Sequence, residues 1–390
     1  METESVVPAG AGTPPTFEPP APSERPRRSW PSVIALAVGG VVALAILAGF
    51  VIRVPYTTLA PGDAVSLPPR ITIDGAKTFD PRGDIRLLFV REANHVNLWQ
   101  YIRARLDSDI DIAKDADVNP GRLTPAQLND EALEQMSEAK NYATAVALRA
   151  AGFKVKAAPG LLVSDLTPGM PAIDALTWGD VILAVDGKEI TDSNQLSDAI
   201  ARHEVGESVS LLVERAGKKL TIPVKVGRFT DDPLKGHKGI GVELAPRFSF
   251  PFAVHVDTTN IGGPSAGLAM TLAILDDLTP GDLTGGQRVA VTGTIDPDGN
   301  VGEIGGIEQK AVAARAAHAT LFIVPQCSPD DPPAALATCK ADLARTQKRV
   351  GSKIKVAPVA TLDQALGVLR DAGGAPVSTT VPAPSTTVAA

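Results

Sequence analysis

The chain has 390 residues, which at about 150 residues per domain predicts two or three domains. It is 44% hydrophobic and 21% charged, ordinary for folded protein and too apolar for a wholly disordered chain. A net charge of -7 gives no general attraction to nucleic acid, and two cysteines exclude a disulfide-dense miniprotein and any four-cysteine zinc site.

Residues 1–32 are proline-rich and poor in apolar side chains, so they read as a disordered tail. Residues 33–52 carry no charged side chain and would span about 30 Å as helix, the thickness of a bilayer core. The apolar region of a secretory signal is shorter, about 7–15 residues, so a single transmembrane anchor is favoured over a signal or a buried core helix. Arg25, Arg27 and Arg28 precede the span, whereas Arg53 alone follows closely. This places the N-terminus in the cytoplasm and the rest of the chain outside the plasma membrane.

Residues 54–156 predict a mixed segment of strands around 71–73 and 85–90, then a helix opened by Thr124-Pro125-Ala126-Gln127. No catalytic constellation is visible in it, and its expected role is to position the next two domains relative to the membrane. Residues 157–227 predict a small β-rich domain. Leu161, Leu162 and Val163 form a short strand, a helix fits 193–203, and strands at 209–214 and 220–226 are joined through Ala216-Gly217. Pro168-Gly169-Met170-Pro171-Ala172, then Gly179-Asp180-Val181-Ile182 and the Asp186-Gly187 turn, resemble a PDZ domain in order and spacing. The resemblance implies a peptide ligand added as a strand along Leu161–Val163.

Residues 236–372 alternate strands and helices. Gly263-Pro264-Ser265-Ala266-Gly267 sets a serine at the start of a helix after a glycine-rich turn, where backbone N–H groups can hold a developing oxyanion. From position alone, helix capping is the commoner use of such a serine. The pentapeptide also fits the nucleophile elbow of α/β-hydrolases. That class needs an acid and a histidine downstream, and His318, in an alanine-rich helix, is the one histidine after Ser265. Lys310 is the better partner: buried beside Ser265, its pKa would fall from about 10.4 toward about 7–8, a shift that desolvation can supply.

Gly263-Pro264-Ser265-Ala266-Gly267, Val291-Thr292-Gly293, and Gly305-Gly306-Ile307-Glu308-Gln309-Lys310 with Ala313-Ala314 resemble the proteolytic domain of Lon. The resemblance implies Ser265 as nucleophile, Lys310 as general base, Thr292 as the residue that orients the lysine amine, and a homo-hexameric ring. With the anchor and PDZ-like domain in front, the chain resembles the membrane-anchored PDZ-containing Lon-like serine proteases. Two departures stand out: Gly262 occupies the position three before the serine that is often acidic, and Thr292-Gly293-Thr294 replaces Thr-Gly-Glu.

Cys327 and Cys339 lie in the part expected outside the cell, where a disulfide is favoured over two free thiols. Residues 373–390 hold no charge and read as a second unstructured tail. No phosphate-binding Gly-x-x-x-x-Gly-Lys-Ser/Thr motif occurs, and neither a metal nor another cofactor is expected. The fold class expected is α+β multidomain: one transmembrane helix, a PDZ-like β-rich domain and a Lon-type α/β proteolytic domain. The expected function is extracytoplasmic cleavage of unfolded or flexible polypeptides. The alternative is a catalytically silent PDZ/Lon-like scaffold or peptide-binding protein.

Overall fold

The computed structural model describes residues 30–121, 123–230, 234–259 and 261–378. The tail expected over 1–32 lies outside the described residues as far as residue 29, and with it Arg25, Arg27 and Arg28. The chain divides into two units, residues 1–52 and 53–390. In the first, α1 (Trp30–Val51) is a 22-residue helix. Its stretch Ile34–Val51 has a mean hydropathy of 2.7, long and apolar enough to cross a membrane.

The second unit begins with β1 (Tyr56–Ser66), β2 (Ile71–Asp74) and β3 (Asp84–Ala93). Next come α2 (Leu98–Leu106), β4 (Asp111–Lys114), the short α3 (Asp115–Val118) and α4 (Pro125–Ala150). Capping boxes start both longer helices: Asn97 with Gln100 for α2, and Thr124 with Gln127 for α4.

The β-rich module comes next. It holds β5 (Lys156–Leu166), β6 (Val181–Val185), β7 (Lys188–Glu189), α5 (Ser193–Ala201), β8 (Ser208–Arg215) and β9 (Lys218–Lys225). It continues through β10 (Gly227–Arg228) and β11 (Lys238–Gly239) to β12 (Val242–Ser249). The β8–β9 hairpin turns on Ala216 and Gly217, whose φ of 48° and 74° fit the left-handed turn that hairpin twist requires. The main sheet runs β12-β5-β6-β8-β9, all antiparallel, over a core that includes Val163, Ile182, Leu211 and Val213. Asp180 is buried and paired by Arg215 through two hydrogen bonds of 2.7 and 2.6 Å, so it is a structural anchor of this module.

The remaining elements are β13 (Ala253–Val256), α6 (Gly267–Leu278), β14 (Arg288–Val291), β15 (Thr294–Ile295), β16 (Val301–Gly302) and α7 (Ile307–Ala316). They end with β17 (Leu321–Pro325), α8 (Pro333–Val350), β18 (Lys355–Val359) and α9 (Leu362–Asp371). A six-stranded sheet of order β18-β17-β14-β3-β1-β4 joins them to the start of the unit. From β18 to β3 the strands are parallel, and β1 and β4 add antiparallel to that edge. Strands from 54–156 and from 236–372 therefore share one sheet and one core, with the β-rich module inserted between them.

Two sequence expectations are corrected here. Leu161, Leu162 and Val163 do not lie at a sheet edge: on β5 they are paired to β12, and Leu161 and Leu162 are paired to β6 on the other side. The edge strand on that side of the sheet is β12, which pairs with β5 alone, and β9 is the opposite edge. The unstructured stretch does not begin at Gly373. Gly374 N–H donates to Leu369 O at 3.0 Å, Ala375 N–H donates to Asp282 O at 2.8 Å, and Val377 packs on the core. From residue 379 the expected tail lies outside the described residues.

Candidate active site

Ser265 sits in the single 3-10 turn Pro264–Ala266 that leads into α6. Gly263, with φ 86°, lets the chain reverse into that turn. The serine does not cap the helix, because α6 opens on Ala266 with no side-chain cap bond. Helix α6 is buried almost all round, as its apolar sequence requires, and this fixes the turn from behind. On the front, Gly263 N–H donates to Ala132 O of α4 at 2.8 Å. A Cβ at Gly262 would stand 2.9 Å from Ala132 Cβ and 3.2 Å from Ala132 O. The missing acidic residue at that position thus has a steric reason: α4 occupies the space a side chain would need.

Lys310 comes from α7, whose Ala311, Ala313 and Ala314 are buried and let the helix lie close to the sheet. The helix starts at Gly306, in the left-handed region at φ 64°, where a Cβ would strike Val90 and Leu59 at 2.8 and 2.9 Å. Lys310 is 2% exposed, and its Nζ lies 2.9 Å from Ser265 Oγ and 3.1 Å from Thr292 Oγ1. Thr292 comes directly after β14, is fully buried, and its hydroxyl lies 3.3 Å from Ser265 O. That same carbonyl accepts Gly293 N–H at 2.9 Å. Burial pushes the Lys310 pKa down from 10.5 to about 7, because an ammonium there would lose its water without gaining an anion. A neutral amine fits all three contacts in one direction: Ser265 O–H donates to Nζ, Nζ–H donates to Thr292 Oγ1, and Thr292 O–H donates to Ser265 O.

The hydroxyl and amine face a cleft of about 730 Å³. Its walls include Thr57 and Leu59 of β1, Val90 of β3, Ile112 of β4 and Gln135 of α4. The segment 54–156, in which no functional feature was legible, therefore builds much of the cleft. The signal missing from the sequence was long-range strand pairing. His318 is exposed in the turn after α7, and His255 is exposed on β13 paired to β2. Neither lines the cleft. Cys327 and Cys339 are joined by a disulfide with a Cα separation of 5.8 Å, linking the chain after β17 to α8.

Two family models match the chain: the PDZ domain over residues 135–226 and the Lon protease C-terminal proteolytic domain over residues 249–369. A probable periplasmic DegP-like serine endoprotease of Halomonas elongata is 40% identical over 88 residues, covering 22% of this chain and 18% of that protein. Lon protease of Campylobacter concisus is 28% identical over 205 residues, covering 50% of this chain and 24% of that protein. Among solved structures, the PDZ domain of the SdrC-like protein from Listeria monocytogenes is 29% identical, covers 22% of this chain and 88% of that chain, and has a TM-score of 0.20. The chain thus spans less than a third of the length of either curated relative. The chain therefore matches a PDZ domain over residues 135–226 followed by a Lon-type proteolytic domain over residues 249–369, and Ser265 and Lys310 lie within the second matched region.

Proposed function

We propose that this protein is a membrane-anchored serine endopeptidase working through a Ser265–Lys310 dyad. The observation that carries the proposal is the 2.9 Å contact between Ser265 Oγ and a buried amine whose pKa is lowered to about 7. A lysine so placed is neutral at working pH and can take the hydroxyl proton.

Ser265 Oγ attacks the scissile carbonyl carbon while its proton passes to Lys310 Nζ. The oxyanion forms against the backbone amides of the turn at the start of α6. As the C–N bond breaks, Lys310 returns that proton to the leaving amine, giving an acyl-enzyme on Ser265. Water then attacks the ester, Lys310 accepts its proton, and that proton restores the Ser265 hydroxyl. Thr292 holds the amine on its line toward Oγ throughout.

Helix α1 anchors the chain in the plasma membrane as a single span, with the N-terminus cytoplasmic and the PDZ and proteolytic domains outside. The matched relative described as periplasmic supports that side. The PDZ domain binds a polypeptide end or exposed segment along the edge of β12 rather than along β5. Substrates are unfolded or flexible polypeptides, and the proteolytic domains assemble as a homo-hexamer.

The test compares the full-length protein with Ser265→Ala and Lys310→Met forms on an unfolded protein substrate. Loss of cleavage in both variants is expected. Equal cleavage by all three would discard the dyad.

A further inference from the structure

The floor of the catalytic cleft is one face of the β3-β1-β4 pairing. Leu59 stands opposite Glu92 of β3 on one side and opposite Asp111 of β4 on the other. Residues directly opposite in neighbouring strands project to the same face, so these three side chains form a row across the sheet, with strands about 5 Å apart. On that face α7 starts at Gly306, packed against Leu59 and Val90, and Glu303 lies three residues before it. Glu92, Asp111 and Glu303 all line the cleft that holds Ser265. Among the described lining residues Lys310 is the one basic side chain, and burial keeps it neutral near pH 7 and above.

The cations of this region are turned elsewhere. Arg91 is one residue from Glu92 and Lys114 three from Asp111, so strand alternation sends both to the opposite face, and Arg91 pairs with Asp63. Arg345 and Arg349 are held by Glu308, and Arg349 also by Asp109; Asp111 shares their field. Among the described residues no ion pair neutralises Glu92 or Glu303.

Glu303 and Ile304 also line a second hollow, of about 350 Å³, adjoining the cleft. Ile307, Pro325 and Leu343 supply apolar wall, and Cys339 of the disulfide forms part of the same lining. Its charged residues are Glu303, Asp331 and Asp342, with no basic residue among the described lining. Arg345 pairs with Asp342, which leaves Glu303 and Asp331 unmatched. Apolar walls with unmatched carboxylates suit a side chain that has a methylene stem and a cationic head.

We propose that the cleft selects basic polypeptides, and that the hollow beyond Glu303 takes one lysine or arginine side chain of the bound segment. The stem lies against Ile304, Ile307 and Leu343, and the head meets the carboxylates of Glu303 and Asp331. An acidic segment would instead bring its charges against Glu92 and Glu303, so the cleft discriminates by repulsion as well as attraction. The inference rests on the proposed Ser265–Lys310 chemistry and names the substrate class of that same cleft.

The test digests reduced, unfolded casein with the full-length protein and maps the cut bonds by mass spectrometry. Lysine and arginine are expected to be enriched at a fixed position beside the cut, and aspartate and glutamate depleted there. In a peptide built on one such site, replacing the basic residue by leucine should lower kcat/KM about tenfold, and replacing it by glutamate should lower it further. The preference should shrink as salt screens the carboxylates. Glu303→Lys should reverse the order of the lysine and glutamate peptides, and Glu303→Gln should narrow the gap between them, with melting curves confirming that each variant is folded. Cleavage that needs Ser265 but treats the three peptides alike overturns this inference and leaves the dyad standing. A basic preference unchanged in both Glu303 variants likewise overturns the placement of the cationic head. Cleavage that persists in Ser265→Ala, or no cleavage by the unmodified protein, overturns the proposed function and this inference with it.

Discussion

Ala132 O accepts the amide of Gly263 at 2.8 Å, so the turn in front of the nucleophile is held by a helix more than a hundred residues earlier in the chain. Position 262 has to be glycine for this reason. In a Gly262→Ala variant the new methyl would press on Ala132, moving either α4 or the serine turn. Cleavage should fall by about tenfold to a hundredfold, because a displacement near 1 Å costs that much in a positioned site. Thermal stability should fall by about 1–3 kcal/mol. Steady-state kinetics together with a melting curve check both effects, and unchanged kinetics would remove α4 from the account of the site.

The lowered pKa of Lys310 sets a pH profile. Below about 7 the amine is protonated and cannot take the Ser265 proton, so kcat/KM should fall about tenfold per pH unit on the acid side and level off above about 7. The same shift enters stability with the opposite slope to a raised pKa. The unfolded chain binds the Lys310 proton up to about 10.4 and the folded chain only up to about 7, so this group makes the fold more stable as pH rises between those values. Lys310→Met should flatten that contribution. A kcat/KM profile level from about pH 6 to 8 would contradict the assignment of Lys310 as base.

The part assigned to Thr292 is to aim the amine, not to react. Thr292→Val keeps the volume and removes the 3.1 Å acceptor for Nζ, and kcat should drop by about tenfold with little change in KM. Thr292→Ser restores the hydroxyl and should restore most of kcat. Equal loss in the Val and Ser forms would point to packing instead.

Two adjacent carboxylates sit at the far end of α6. Burial, followed by the charge of Asp282, raises Asp276 to about 6; burial, followed by the charges of Asp276 and Asp80, raises Asp277 to about 7. A raised carboxyl pKa means the folded state holds protons that the unfolded state has released, so stability declines as pH climbs through roughly 4 to 7. Asp277→Asn should therefore stabilise the protein by on the order of 2 kcal/mol near pH 8 and by little near pH 4. Denaturant titrations at the two pH values decide it, and a gain confined to the acid side would reverse the sign.

The Cys327–Cys339 bond closes a loop of twelve residues that leads into α8. Loop-closure entropy for that length predicts a loss of about 3 kcal/mol on reduction or in a C327S/C339S form. Calorimetry with and without reductant measures it, and an unchanged melting temperature would show that the helix needs no tether.

What the sequence revealed was local. The capping box at Thr124, the Ala216-Gly217 hairpin, and the glycine turns before Ser265 and Lys310 each depend on neighbours within a few residues. The pairing of Ser265 with Lys310 was legible through family spacing across 45 residues, not through periodicity. The cleft walls were not legible, because Leu59, Val90 and Ile112 reach the site through strand pairing with residues two hundred positions away or through neighbours of those strands. Leu161–Val163 misled for the same reason: a short apolar run looks alike at the edge and in the interior of a sheet, and β12, arriving some eighty residues later, decides which it is.

The register of β5 against β12 has a further consequence. Lys156, where the chain enters the β-rich module, is paired with Ser249, where it leaves. The two ends are neighbours across one strand spacing, about 5 Å. The module's entry and exit points are therefore already at hairpin distance. A two-residue turn joining them would excise the β-rich module as a cassette, and another could be set in the same frame without altering the path of the chain through the shared six-stranded sheet.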